Sequence, residues 1–171
     1  MGESSQGTFP SVAELNIASL VDFSSAMATL FEPAPRFAAH LAARRPFKDH
    51  QELLAVAASV AAGMPEADQI ELINAHPRLA ATDGLSEQSR IEQGGVDPSA
   101  DVELAALQTA YEAMFGFRYL VFVAGRSRGA LIPGLRQSLS ASRESELHRA
   151  VADTLAIAGS RLAVLRGRGA G

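Results

Sequence analysis

Cysteine and tryptophan are absent from this chain, and lysine occurs once, at Lys48. The first absence excludes disulfides, thiolate metal sites and cysteine nucleophiles. No stretch reaches the roughly 18 consecutive apolar residues that a membrane-spanning helix needs, so no membrane partner is expected. Positive charge is not in excess either. Fifteen Lys and Arg stand against 19 Asp and Glu, a formal net charge of −4, which leaves no basic footprint for a nucleic acid. No H-E-x-x-H, H-x-H, G-x-G-x-x-G or phosphate-cradling lysine loop occurs, so no metal and no cofactor is expected. The basic string Gly125-Arg126-Ser127-Arg128-Gly129 reads most simply as a turn between two elements.

What remains is apolar and alanine-rich. Hydrophobic residues make up 47% of 171 and charged residues 20%, ordinary for a globular protein and too apolar for disorder. The length predicts one domain that buries about two-thirds of its unfolded surface without staples. Residues 1–10 and 167–171 are expected as flexible tails around a domain at 11–166. Residues 1–7 lack the cationic and apolar regions of a signal peptide. The whole is compatible with a cytoplasmic protein.

The periodicity is helical almost throughout and predicts an all-α, single-domain compact bundle of roughly eight helices. Phe23, Met27 and Leu30 share one helical face, and Pro33 and Pro35 end that helix. Arg36–Arg44 follows, then a helix from His50 to about Ala62 with Asp49 as N-cap. Pro65 opens the next helix, which carries Ile70, Leu72 and Ile73 into Ala75-His76-Pro77. Thr82-Asp83-Gly84 reads as a turn, and Ser86 can cap a short helix through Gln93. Asp101–Phe115 is amphipathic and stops at Gly116. Gly129–Leu139 is helical despite Pro133, and Ser142 caps a long last helix to about Leu165. Tyr119–Ala124 favours β structure but has no sheet to join. It is expected as an extended piece or a distorted helix start.

Three places offer chemistry. His76 follows an apolar helical turn and precedes a proline, which biases its backbone away from helix. It is either a helix C-terminal cap favoured by the dipole or a general acid or base. Ser89, Glu92 and Gln93 fall three and four apart, so a hydroxyl, a carboxylate and an amide share one helical face; a plain solvated face is the alternative. Arg161 sits beside Ala158 and Leu162 on the last helix. It is either snorkelling or held to pair with an anion.

Taken in order, Leu15-Asn16, Phe31-Glu32, Arg45-Pro46-Phe47, Ala75-His76-Pro77, Leu79, Ser89-x-x-Glu92-Gln93, Tyr111, Phe115-Gly116-Phe117 and Arg161-Leu162 resemble the 2-oxo-4-hydroxy-4-carboxy-5-ureidoimidazoline (OHCU) decarboxylases. These are the last enzymes of urate breakdown to (S)-allantoin. The likeness runs from about Leu15 to Leu165. Three positions depart from it: Arg78, where Asp is common, and Arg118-Tyr119, where Pro-Phe is common.

The resemblance implies a cofactor-free carboxy-lyase acting on a small molecule. It makes His76 and Glu92 catalytic. Pro77, Ser89, Gln93, Arg161 and the segment Tyr119, Leu120, Val121, Phe122 and Val123 would bind substrate, the segment through its backbone. Family members tend to be homodimers, although no stripe in this sequence demands one. The competing expectations are a related lyase on another ureido heterocycle, suggested by Arg78, Arg118 and Tyr119, and a non-catalytic helical binding domain.

Overall fold

A computed structural model of the protein describes residues 8–79 and 97–168. Among them are eight helices and no strand: α1 (Val12–Ile17), α2 (Leu20–Phe31), α3 (Pro35–Ala42), α4 (His50–Gly63), α5 (Glu66–Ala75), α6 (Pro98–Phe115), α7 (Arg128–Ser138) and α8 (Arg143–Arg168). The all-α expectation holds. The chain divides into two compact units, one formed by Met1–Leu72 with Leu155–Gly171 and the other by Ile73–Thr154.

In the first unit α2 packs on α3 and α3 on α4. The expected apolar face is the one buried: Phe23, Met27, Leu30 and Phe31 from α2 meet Phe37, Leu41 and Leu53 in the core. Phe31 and Phe37 meet edge to face at 4.7 Å, a favoured aromatic geometry. Side-chain caps set the helix starts. Ser19 accepts from the Asp22 amide and starts α2, and Asp49 accepts from the Glu52 amide as expected. The sequence reading misses α1, although Ser11-x-x-Glu14 is a reciprocal capping box. Within the expected N-terminal tail, Phe9 is buried against the His50 ring and the Pro10 carbonyl is 2.9 Å from His50 Nε2.

Two further brackets explain motif residues that carry no chemistry. The Asn16 side chain donates to the Phe47 carbonyl and accepts from the Phe47 amide, both at 2.8 Å. Arg45 donates to the carbonyls of Leu15 and Ala18 at the end of α1. Leu15-Asn16 and Arg45-Pro46-Phe47 thus belong together as one joint.

In the second unit α6 packs on α7, with Leu104, Tyr111, Phe115, Leu131 and Leu135 buried. Asp97 caps α6 ahead of Pro98, three residues before the expected start. Gly116 ends it with φ 81°, in the left-handed region that glycine occupies without penalty.

Candidate active site

His76 lies one residue beyond α5 and is only 2% exposed. Its amide donates to the Ile73 carbonyl at 3.2 Å, closing the helix with a tight turn. The last carbonyls of a helix lack partners within it. Here Arg118 supplies them: its Nη1 donates to the carbonyls of Asn74 (2.8 Å) and His76 (2.9 Å). Its amide donates to Asn74 Oδ1 at 2.9 Å. A guanidinium also suits the negative end of the helix dipole.

The residues after His76 are clamped to α6. Gln108 Oε1 accepts from the Leu79 amide at 2.8 Å and Gln108 Nε2 donates to the Leu79 carbonyl at 3.1 Å. Arg78 reaches Thr109 Oγ1 at 3.1 Å and forms an ion pair with Glu112 at 3.0 Å. Pro77, between these anchors, is half-buried. Both cations that depart from the family pattern therefore engage the protein's own chain around the His76 kink.

Tyr119–Val123 is neither helix nor strand, as its isolation predicts. Tyr119, Leu120 and Val123 are buried, while Val121 and Phe122 are half-buried. The segment ends at a turn where Ala124 and Gly125 have φ 51° and 74°. Behind it lies a polar cluster that runs from the buried Tyr111 and Glu146 out to the half-buried Arg149 and Asp153. The Tyr111 hydroxyl donates to Glu146 Oε2 at 2.8 Å, and Arg149 Nη2 donates to the same oxygen at 2.7 Å. Arg149 Nη1 also meets Asp153 Oδ2 at 2.9 Å. The Arg149 guanidinium lies 5.0 Å from the Tyr119 ring centroid, and that ring packs edge-on to Tyr111 at 5.1 Å.

Burial, reinforced by the Glu146 carboxylate, pushes the Tyr111 hydroxyl well above its ordinary range. Burial likewise raises Tyr119. Burial alone would raise Glu146 too, but its bonds from Arg149 and Tyr111 hold it below the usual carboxylate range. At Asp153 burial wins over the Arg149 charge, and its pKa is raised.

Arg161 belongs to the first unit and is 3% exposed. It donates to Glu32 Oε1 at 3.1 Å and to the Leu30 carbonyl at 3.3 Å. It is therefore held against an anion rather than snorkelling. The motif pieces Phe31-Glu32 and Arg161-Leu162 meet through this pair. Glu32 adopts φ 59° and ψ 170°, a backbone region that is essentially glycine's.

Ser89, Glu92 and Gln93, with the expected cap Ser86 and the turn Thr82-Asp83-Gly84, lie outside the described residues. The other histidines have structural surroundings. His40 Nε2 lies 2.8 Å from Asp68, His50 bonds the Pro10 carbonyl, and His148 is exposed. Ser127, whose string has the G-x-S-x-G spacing, is the N-cap of α7 and accepts from the Ala130 amide at 3.3 Å. No strand among the described residues precedes it, and a nucleophile elbow needs one. Among the described residues no three His, Asp or Glu side chains gather as a metal site, and no helix is long and apolar enough to cross a membrane.

Sequence reasoning missed Asn74, Gln108, Glu146 and Arg149 as site supports. Gln108 had a signal, since a glutamine four residues from Leu104 and three from Tyr111 falls on the apolar face of α6. Asn74, Glu146 and Arg149 gave none, because polar residues near helix ends or on helix faces are usually solvated.

Known proteins share this sequence pattern and fold. A family model described as OHCU decarboxylase matches residues 16–163. The OHCU decarboxylase of Halalkalicoccus jeotgali is 28% identical over 156 residues, covering 88% of this chain and 89% of that protein. A uric acid degradation bifunctional protein of Bacillus subtilis is 27% identical over 88% of this chain, which spans 31% of that longer protein. A crystal structure of OHCU decarboxylase obtained in the presence of (S)-allantoin superimposes with a TM-score of 0.67. At 23% identity, over 78% of this chain and 92% of that one, it speaks to the fold.

Proposed function

The chain belongs to the OHCU decarboxylase family and is a carboxy-lyase of urate degradation, and we propose that His76 is the acid/base group of its reaction. The substrate carbon that bears the carboxylate adjoins an imine-type ring carbon. Electrons released with CO2 enter that conjugated system, so the protein's tasks are orientation, charge placement and delivery of one proton to one face. The product is then (S)-allantoin rather than the racemate.

The observation that carries this reading is the setting of His76. A buried histidine stands at a kink whose carbonyl is tied by Arg118 and whose next residues are clamped by Gln108. A proton donor that selects one face must not swing, and this backbone is fixed on both sides of it. Glu92 is proposed to bind the substrate hydroxyl or ureido N–H and tune the imidazole. Ser89 and Gln93 would bond the ureido arm, Pro77 would shape the wall, and backbone groups of Tyr119–Val123 would meet the ring amide. Arg161, its plane set by Glu32, would face a carbonyl or anionic oxygen. The engagement of Arg78 and Arg118 with the protein's own chain favours this reading over a different heterocycle.

Cytoplasmic action and a homodimer belong to the same proposal. Leu20 and Val21 are 51% and 75% exposed and rim an apolar hollow of about 550 Å³ beside α2 and α3, a surface suited to a second copy. Sedimentation of a single monomeric species would remove the dimer from the reading.

The test is circular dichroism on substrate freshly made from urate by oxidation and hydroxyisourate hydrolysis. The protein should produce a rapid (S)-allantoin signal, and folded His76→Ala should lose about 10²–10⁴-fold in rate. Slow decay to racemic allantoin with the folded wild type would overturn the activity. Undiminished stereospecific turnover by His76→Ala would overturn the role of His76.

A further inference from the structure

A segment without helix or strand partners must still satisfy its backbone. In Tyr119–Val123 side chains do so. The Leu120 carbonyl accepts from Arg149 Nη1 at 2.7 Å. The Phe122 and Val123 carbonyls accept from Arg126 at 2.6 and 3.0 Å. The Phe122 amide faces the Asp153 carboxylate and favours its charged form. Leu120 and Phe122 are two residues apart, the spacing at which an extended chain turns the same edge outward. Arg149 and Asp153 thus take that edge, and they are bonded to each other at 2.9 Å.

Arg149 is itself immobilised. Its Nε lies 3.1 and 3.0 Å from the two oxygens of Glu146, and its Nη2 donates to Glu146 Oε2. Glu146 is 3% exposed and also receives the Tyr111 hydroxyl. The guanidinium then stacks over Tyr119, the first residue of the segment. A part-buried ionic cluster adds little net stability of its own. What this one supplies is a fixed path for five residues that no ladder holds.

We infer that Arg149 is a positioning residue of the decarboxylase, setting the backbone of Tyr119–Val123 so that its opposite edge meets the substrate ring in one geometry. Asp153 is its co-anchor. The inference rests on the substrate-binding role proposed for the segment. The planar fork matters as well as the charge, because only a guanidinium serves Glu146, Asp153 and the Leu120 carbonyl together.

The experiment compares wild type, Arg149→Lys and Asp153→Asn by amide hydrogen exchange and by steady-state turnover of freshly made substrate. Exchange in 119–123 should rise at least about tenfold in both variants, while α6 amides stay protected. In Arg149→Lys, KM should rise about tenfold with a smaller fall in kcat, because ordering of the binding segment is what is lost. A folded Arg149→Lys with wild-type exchange in 119–123 overturns the inference. Loosened exchange with unchanged kcat and KM also overturns it, leaving Arg149 as structure only. Should Arg149→Lys not fold, Asp153→Asn decides on the same two readouts. A wild type without turnover is a failure of the proposed function, whereas an active wild type matched by an equally active Arg149→Lys is a failure of this inference alone.

Discussion

Each unit of the molecule holds an arginine–glutamate pair with a buried glutamate, and the two pairs are built differently: Arg161 is buried too, whereas Arg149 is about a third exposed. Arg161 and Glu32 are separated by 129 residues, and the pair fastens the end of α2 to α8. The other pair, Arg149 and Glu146, is three residues apart on α8, and its reach extends to Tyr111, Asp153 and the Leu120 carbonyl. The first is a long-range latch at a strained residue; the second is a local hub that shapes an irregular segment. A latch concentrates its effect in one ion pair. A hub distributes it, so removing one member leaves the others partly served.

The largest effect is expected at the latch. Glu32→Ala leaves the Arg161 guanidinium buried without its carboxylate, which costs about 3–5 kcal/mol. Part is returned if the substitution eases the backbone at φ 59°, so Glu32→Gly should be less harmful than Glu32→Ala. The denaturation midpoints of the two variants give the check. A Glu32→Gly midpoint below that of Glu32→Ala would show that the backbone is not strained there. Wild-type midpoints in both would end the comparison between latch and hub.

The latch was half legible in the sequence. Arg161 stood out as a cation on an apolar face, but its partner lay 129 residues away, beyond any pattern of helical spacing. The helical frame was readable because apolar periodicity and caps are local: Asp49, Pro65, Gly116 and Ser142 each mark an element by chemistry within a few residues. The hub was not readable. Arg149 and Glu146 look like the solvated face of α8, and only the coil at Tyr119–Val123 turns them inward. His76 was singled out from its proline and its helix end, whereas the Arg118 guanidinium that ties its carbonyl approaches from 42 residues away.

The hub should show a smaller and pH-dependent effect. Tyr111→Phe removes one bond to a charged acceptor, worth about 1.5–3 kcal/mol. Its sign with pH follows from the raised pKa of Tyr111. The neutral hydroxyl is favoured by folding, so its contribution is full below the unfolded value of about 10. It is lost as pH rises toward the folded value. The wild type should therefore lose more stability than Tyr111→Phe between pH 8 and 11, with Tyr119 supplying the remaining slope. Parallel losses in the two proteins would mean that Tyr111 does not titrate with unfolding. On the acid side the depressed Glu146 acts oppositely: its contribution is present above the ordinary carboxylate range and fades as pH falls through the folded value.

The joint at Asn16 should fall below both pairs. Asn16→Ala strips partners from the Phe47 amide and carbonyl, which are only partly buried, so water recovers some of the loss and about 1–2 kcal/mol is expected. Asn16→Asp tests the geometry separately. It still accepts from the Phe47 amide but places a carboxylate oxygen against the carbonyl, so it should be no better than alanine, as midpoint measurements on the two variants would show. If Asn16→Asp matched the wild type, the two-way bond would not be what joins α1 to the Phe47 turn.

The surface cluster of His40, Arg36 and Asp68 sharpens the comparison from the weak end. Asp68 accepts from His40 at 2.8 Å and from Arg36 at 3.3 Å, contacts as close as those of Glu32 and Glu146. The bond from His40, then the Arg36 charge, outweighs slight desolvation and lowers the Asp68 pKa. Its stabilisation is present above the ordinary carboxylate range and is lost as pH falls through the folded value. Arg36 and His40 are well exposed, however, with side chains 59% and 45% accessible, and water and salt screen such pairs. Asp68→Asn should therefore move the midpoint least of all these variants at pH 7, and less still in 1 M salt. A shift as large as that of Tyr111→Phe would mean that contact geometry, not burial, ranks the charged groups of this protein.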